Sequence, residues 1–136
     1  MVDSTNASVC PTWTSTTDPL EAYGANLSKP GKSGAFTFVL MNVAPAPPAL
    51  GTLTWTLKIL DASGQPVPDA TMPVPTTWMP QHMHSSTATP VAASNGDGTY
   101  TISNLYLYMP GVWQVTVQAT AGGTTDSTVF TFCLGM

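Results

Sequence analysis

Apolar and polar residues alternate at a period of two through most of this chain, and that alternation leaves little room for any fold but a β one. Leu53, Trp55, Leu57 and Ile59 interleave with Thr52, Thr54, Thr56 and Lys58, which gives a strand one apolar and one polar face. Phe36, Phe38 and Leu40 repeat the pattern, as do Trp113, Val115, Val117 and Ala119. Near the end Phe130 and Phe132 share one face, while Val129, Thr131 and Cys133 share the other. Turn signals separate these runs: Asp61-Ala62-Ser63-Gly64, Asn95-Gly96-Asp97-Gly98 and Ala121-Gly122-Gly123. The 13 prolines, spread along the chain, exclude long helices. About seven short strands so spaced predict an immunoglobulin-like antiparallel two-sheet sandwich. Tyr100, Ile102 and the apolar members of the alternating runs are its expected core.

The 136 residues suit a single β-sandwich domain, 1–136, with an irregular N-terminal segment, 1–32, packed against it. Ala44-Pro45-Ala46-Pro47-Pro48-Ala49 is a connection too short to separate domains.

Charge is scarce. Only 7% of residues are charged, where soluble domains average about 25%. The three cations are Lys29, Lys32 and Lys58, too few to hold a phosphate backbone, so nucleic acid is excluded as a partner. Thr, Ser, Asn and Gln must keep the surface wet, a composition common in exported proteins. No run approaches the ~20 apolar residues of a membrane-spanning helix. The start, Met1-Val2-Asp3-Ser4, has neither a basic n-region nor an apolar h-region, so the expectation is the mature part of an exported, periplasmic or extracellular protein.

Cys10 and Cys133 are the only cysteines, and their spacing suits neither a zinc knuckle nor a redox pair. A disulfide between them would join the first and last segments and imply an oxidising compartment; two buried free thiols are the alternative. The ending Cys133-Leu134-Gly135-Met136 formally matches a prenylation box, but no basic patch precedes it and pairing of Cys133 with Cys10 is the better reading. Asn6-Ala7-Ser8 and Asn26-Leu27-Ser28 are weak sequon matches in so Ser-rich a chain.

Chemistry concentrates in Trp78-Met79-Pro80-Gln81-His82-Met83-His84, which holds both histidines and two of the seven methionines. Imidazole binds copper, zinc, iron and nickel, whereas thioether is soft and favours Cu(I). In an extended segment His82 and His84 would point to one side, about 6.6 Å apart along the chain, and Met83 would point the other way, towards the core or a neighbouring sheet. Pro80 can turn Met79 back over the rings. Met109, beyond the Asn95–Gly98 hairpin, can return beside the same segment. The expected site is His82 and His84 as nitrogen donors, Met79 and Met109 as sulfur donors and Met83 in reserve. It would hold copper, Cu(I) by preference and Cu(II) through the histidine pair. Methionine is also an ordinary core filler, and Met79 and Met109 are as well explained by packing at the end of the sandwich. Asp97 reads as a turn residue rather than a calcium ligand.

From Leu57 to Val117 the chain resembles the YtkA-like family, which is related to the FixH-like proteins. The resemblance rests on Asp61-Ala62-Ser63-Gly64-Gln65-Pro66-Val67-Pro68-Asp69-Ala70, on Met79-Pro80 with His84, on Gly96-Asp97-Gly98-Thr99-Tyr100 and on Met109-Pro110-Gly111-Val112-Trp113-Gln114-Val115. It implies an exported Ig-like sandwich tied to copper handling or to the assembly of copper-containing oxidases. The family commonly carries a second Met where this chain has His82, so the donor set here is harder.

These features lead to an exported copper carrier, buffer or chaperone whose partners are the copper ion and a copper-receiving protein. A metal-free Ig-like adhesion or interaction module is the alternative, and a carbohydrate-binding sandwich using Trp13, Trp55 or Trp78 is a third. No enzyme is expected: the chain lacks a Gly-x-Ser-x-Gly elbow and a phosphate loop, and its seven acids fall mostly in turns.

Overall fold

The computed structural model describes Cys10, Trp13, Ser15 and residues 17–135. The Asn6 sequon and the residues around Met1 lie outside these. Eight strands form: β1 (Leu27–Pro30), β2 (Thr37–Ala44), β3 (Gly51–Leu60), β4 (Thr76–Trp78), β5 (Val91–Ser94), β6 (Thr99–Leu107), β7 (Gly111–Ala121) and β8 (Thr124–Leu134). They make two antiparallel sheets, one of five strands in the order β1-β2-β3-β6-β5 and one of three in the order β4-β7-β8. The all-β, two-sheet expectation holds, with no helix among the described residues.

The core lies between the sheets and is made by the alternation visible in the sequence. Leu53, Trp55, Leu57 and Ile59 of β3 and Tyr100 and Ile102 of β6 face Trp113, Val115 and Val117 of β7 and Phe130 and Phe132 of β8, all buried. Trp55 stands at the centre, edge-on to Phe130 and Phe132 at 5.6 and 6.0 Å between ring centroids. These are the T-shaped contacts that the aromatic quadrupole favours.

The N-terminal segment, expected to be irregular over 1–32, is not irregular throughout. Residues 27–30 pair with β2, Leu27 opposite Leu40, because a free sheet edge satisfies their backbone groups better than a loop would. Before β1, Cys10, Trp13 and Leu20 cover the outer face of the three-stranded sheet, while Glu21 and Lys29 bond the free edge of β8. Glu21 N–H donates to Thr131 C=O at 2.9 Å, and Lys29 bonds both the Glu21 carboxylate and the Val129 carbonyl. Trp13 and Leu20 pack on Cys10, Val112 and Cys133. That cover explains why Thr131 and Cys133, on the face of β8 opposite Phe130 and Phe132, are buried as well. Cys10 and Cys133 form a disulfide, with Cα atoms 6.1 Å apart across 123 residues of sequence.

The connection Gly31–Phe36 is tied to β8 by one carboxylate. Asp126 accepts from the N–H groups of Ser33, Ala35 and Phe36 at 2.8–3.0 Å. A Cβ at Gly31 would lie 1.9 Å from Asp126 Oδ2, so this approach requires glycine. Burial pushes the Asp126 carboxyl up, but donors on Phe36, Ser33 and Ser127 outweigh it and hold the pKa at about 2, below the ordinary 3.8.

Candidate functional site

The Met-His segment follows β4, at the edge of the three-stranded sheet, and is not extended. Met79 to His84 is a closed turn: Met79 N–H donates to His84 C=O at 2.8 Å, while His82 and Met83 N–H both donate back to Met79 C=O. Pro80, with no N–H to place and its φ already set, suits the first turn position. Met83 closes the loop with φ at 58°, a left-handed conformation that costs a non-glycine residue ~1 kcal/mol. The turn achieves the convergence expected of a strand by another route, since the His82 and His84 ring centroids are 5.8 Å apart.

The turn also corrects where Met83 goes. It is 75% exposed instead of facing the core or a neighbouring sheet. Met79 takes the interior place: it is fully buried and belongs to the main core, while Met109 packs half-buried against that core. The end of the Met79 side chain borders the same space as the His82 ring. A Cβ placed on Gly111 would lie 3.0 Å from Met79 Cε and 3.6 Å from His82 Nε2, so both atoms border the space that the glycine leaves open. Gly111 has φ at 138°, where other residues are strained. Met109 lies two residues before it, and its carbonyl accepts from Trp113 Nε1 at 2.9 Å.

His84 is held on three sides. Its Nδ1 lies 3.0 Å from Ser85 C=O. With Nδ1 donating to that carbonyl, the neutral ring presents an unprotonated Nε2, the usual way a second hydrogen bond orients a ligating histidine. Its face stacks on Tyr108 at 6.3 Å and 19°, and its edge meets Trp113 at 6.5 Å. Tyr108 in turn stacks on Tyr106 at 5.1 Å.

Sequence reasoning missed Tyr108 and Gly111 as neighbours of the histidines, and Tyr106 as the ring behind Tyr108. A β-bulge puts the tyrosines in these places. Register shifts between the Leu53↔Leu105 and Trp55↔Ile102 pairs, with Asn104 at φ 60° in the bulge. Before the bulge Tyr100 and Ile102 point inward; after it Leu105 and Leu107 do, Tyr106 turns out to solvent, and Tyr108, just past the strand end, packs half-buried at the edge of the core against Trp113. Asn104 in a run of apolar alternation is the one sequence signal that could have marked the change of face, because Asn tolerates positive φ.

Among the described residues no carboxylate joins the two histidines to offer a metal a charged ligand. Residues 70–96 and 98–125 contain no Asp, Glu, Lys or Arg. Among the described residues no group of three or more His, Cys, Asp or Glu converges. The donors present, two imidazoles and neighbouring thioethers, are neutral, a set that suits a soft monovalent ion better than zinc or calcium. Of the tryptophans weighed as sugar platforms, Trp55 is fully buried and Trp13 lies on the disulfide, leaving Trp78, 39% exposed. Asp97 accepts from the N–H and hydroxyl of Thr99 and is a turn residue.

A family model described as YtkA-like matches residues 32–118, well over half of the chain. No curated protein and no solved structure matches it. The matched span runs from the Gly31–Phe36 connection into β7 and includes the whole Met79–His84 turn, the bulge and Gly111.

Proposed function

This chain belongs to the YtkA-like family, and from that premise we propose that it is an exported copper-binding protein, a carrier or buffer that holds the ion as cargo and hands it to a copper-receiving protein, as in oxidase assembly. His82 and His84 supply nitrogen, and Met79 and Met109 supply sulfur. The observation that carries the reading is the closed turn that puts the two rings 5.8 Å apart, with His84 Nδ1 engaged by a carbonyl. Neutral donors, with no carboxylate joining the two histidines among the described residues, favour Cu(I). The disulfide is in keeping with an oxidising compartment, and no described helix is long and apolar enough to cross a membrane. Handing over cargo is ligand exchange and needs no turnover.

The deciding experiment is anaerobic Cu(I) titration against a competing chelator, with Cu(II) titration beside it. Replacing both histidines by alanine should nearly abolish Cu(II) binding and leave residual Cu(I) binding through sulfur. Replacing Met79 and Met109 by leucine should weaken Cu(I) selectively, since leucine keeps the bulk and removes the donor. Cu(II) affinity should fall in acid, because imidazole must be neutral to bind. A double-histidine variant that binds both ions as tightly as the parent sinks the copper reading. The second reading, a metal-free interaction module, then gains from a shallow cleft of about 240 Å³ between Val74–Thr77 and Ser85–Pro90, flanked by exposed Val74 and Val91.

A further inference from the structure

Met83 is the one methionine of the turn that does no packing. It is 75% exposed, whereas Met79 in the same turn is fully buried. An apolar side chain left in water at a left-handed backbone position has neither burial nor backbone preference to account for it. The turn nevertheless holds it in place: Met83 N–H donates to Met79 C=O at 2.8 Å, and the Met79–His84 bond closes the loop behind it. It stands directly between the two histidines in the chain, on the side away from the core. The sulfurs thus divide into an inner one, Met79, whose methyl borders the same space as His82 Nε2, and an outer one in solvent.

We propose that Met83 is the exchange ligand of the site, the thioether through which Cu(I) enters and leaves the histidine pair, rather than a resident donor. This rests on the copper reading above. In leaving, a copper–sulfur bond to Met83 forms as a copper–nitrogen bond to one imidazole breaks, and a donor of the acceptor then displaces the sulfur. The remaining bonds to the other imidazole and the resident thioethers break as further donors of the acceptor bind. The ion stays Cu(I) throughout, no electron moves, and the thioether has no proton to release. An exposed neutral donor lets the ion change partners without ever losing all its ligands, which keeps the barrier low while the resident set, with Met79 buried and His84 and Met109 half-buried, keeps affinity. The partner this implies presents its own soft neutral donor at an accessible place on its surface, since a recessed one would not reach Met83.

The test compares the parent chain with Met83→Leu, which keeps length and apolarity and loses only the sulfur. Two quantities are read anaerobically: Cu(I) affinity by competition with a chromophoric chelator, and the rate of handover to an excess of that chelator. The expected result is an affinity within about twofold of the parent and a handover slowed about tenfold, as loss of an exchange donor but not of a resident one would give. Circular dichroism should be unchanged, because the side chain is in solvent. An unchanged handover rate overturns the proposal, and so does a weaker affinity with faster release, which would make Met83 a resident ligand. A parent chain that takes up no Cu(I), or whose uptake ignores loss of both histidines, fails at the equilibrium titration and removes the copper reading itself. Normal histidine-dependent affinity with a rate indifferent to Met83→Leu removes only the exchange role.

Discussion

Asp126 shows how much one side chain can organise in a chain so poor in charge. Its carboxylate gathers the N–H groups of Ser33, Ala35 and Phe36, which would otherwise be unpaired donors at the mouth of the five-stranded sheet. A folded pKa of about 2 against an ordinary 3.8 means that the native state binds this proton less readily than the unfolded chain. The resulting stability is fully present above about pH 4 and is lost as pH falls towards 2, to the extent of about 2 kcal/mol. Asp126→Asn should therefore lower the denaturant midpoint at neutral pH, and its deficit relative to the parent should shrink below pH 4. A deficit that stays constant down to pH 2 would show that shape, not charge, holds the turn. The same scale separates the methionines, since burial alone distinguishes Met79 from Met83 although one short turn contains both.

At the scale of elements, the bulge in β6 does more for the candidate site than any strand. Two-residue periodicity would have carried Tyr106 and Tyr108 inward with Tyr100 and Ile102; one extra residue turns Tyr106 out to solvent and sets Tyr108 against His84. Asn104 makes this possible by adopting φ 60° and anchoring its side-chain N–H₂ on Thr89 C=O at 3.0 Å. Asn104→Val should cost about 1–2 kcal/mol, because a β-branched residue resists positive φ. Thermal unfolding measures the loss, and the ring environment of Tyr108 by NMR should shift with it. A variant as stable as the parent, with Tyr108 undisturbed, would mean that the strand register alone sets the face change. The Met79–His84 turn works likewise: its closing hydrogen bonds, not strand geometry, bring the rings together.

The described residues form two sheets closed around one apolar interior, with Cys10, Trp13 and Leu20 packed on the back of the smaller sheet. That strap is held by apolar contact on Val112, by Glu21 and Lys29, and by the Cys10–Cys133 disulfide. Burial raises the Glu21 carboxyl, with Lys29 pulling the other way. A loop of 123 residues is long enough for its closure to contribute about 4–5 kcal/mol in the chain-entropy picture. Cys10→Ser with Cys133→Ser should lower the unfolding free energy by an amount of that order, since serine hydroxyls are also poorer guests there. Peptide mapping of unreduced protein should recover the two cysteine peptides joined. Two freely alkylated thiols in oxidised material would remove both the staple and the argument for an oxidising compartment.

Period-two alternation by itself determined the fold class and the core, because a pleated strand has only two faces and burial must choose one. Trp55, Ile59, Trp113 and Phe130 were legible for that reason. Spacing and isolation pointed to the cysteine pair, and residue type alone marked His82, His84 and their methionines as the place where chemistry collects. Only the tertiary structure decided which sulfur is inside and which outside. It also decided that 27–30 is a strand, and that Tyr108, Trp113 and Gly111 surround the imidazoles. Those facts depend on a positive φ, a one-residue bulge and a hydrogen-bonded turn, each of which reverses a side chain's direction while leaving the local pattern of apolar and polar residues almost unchanged.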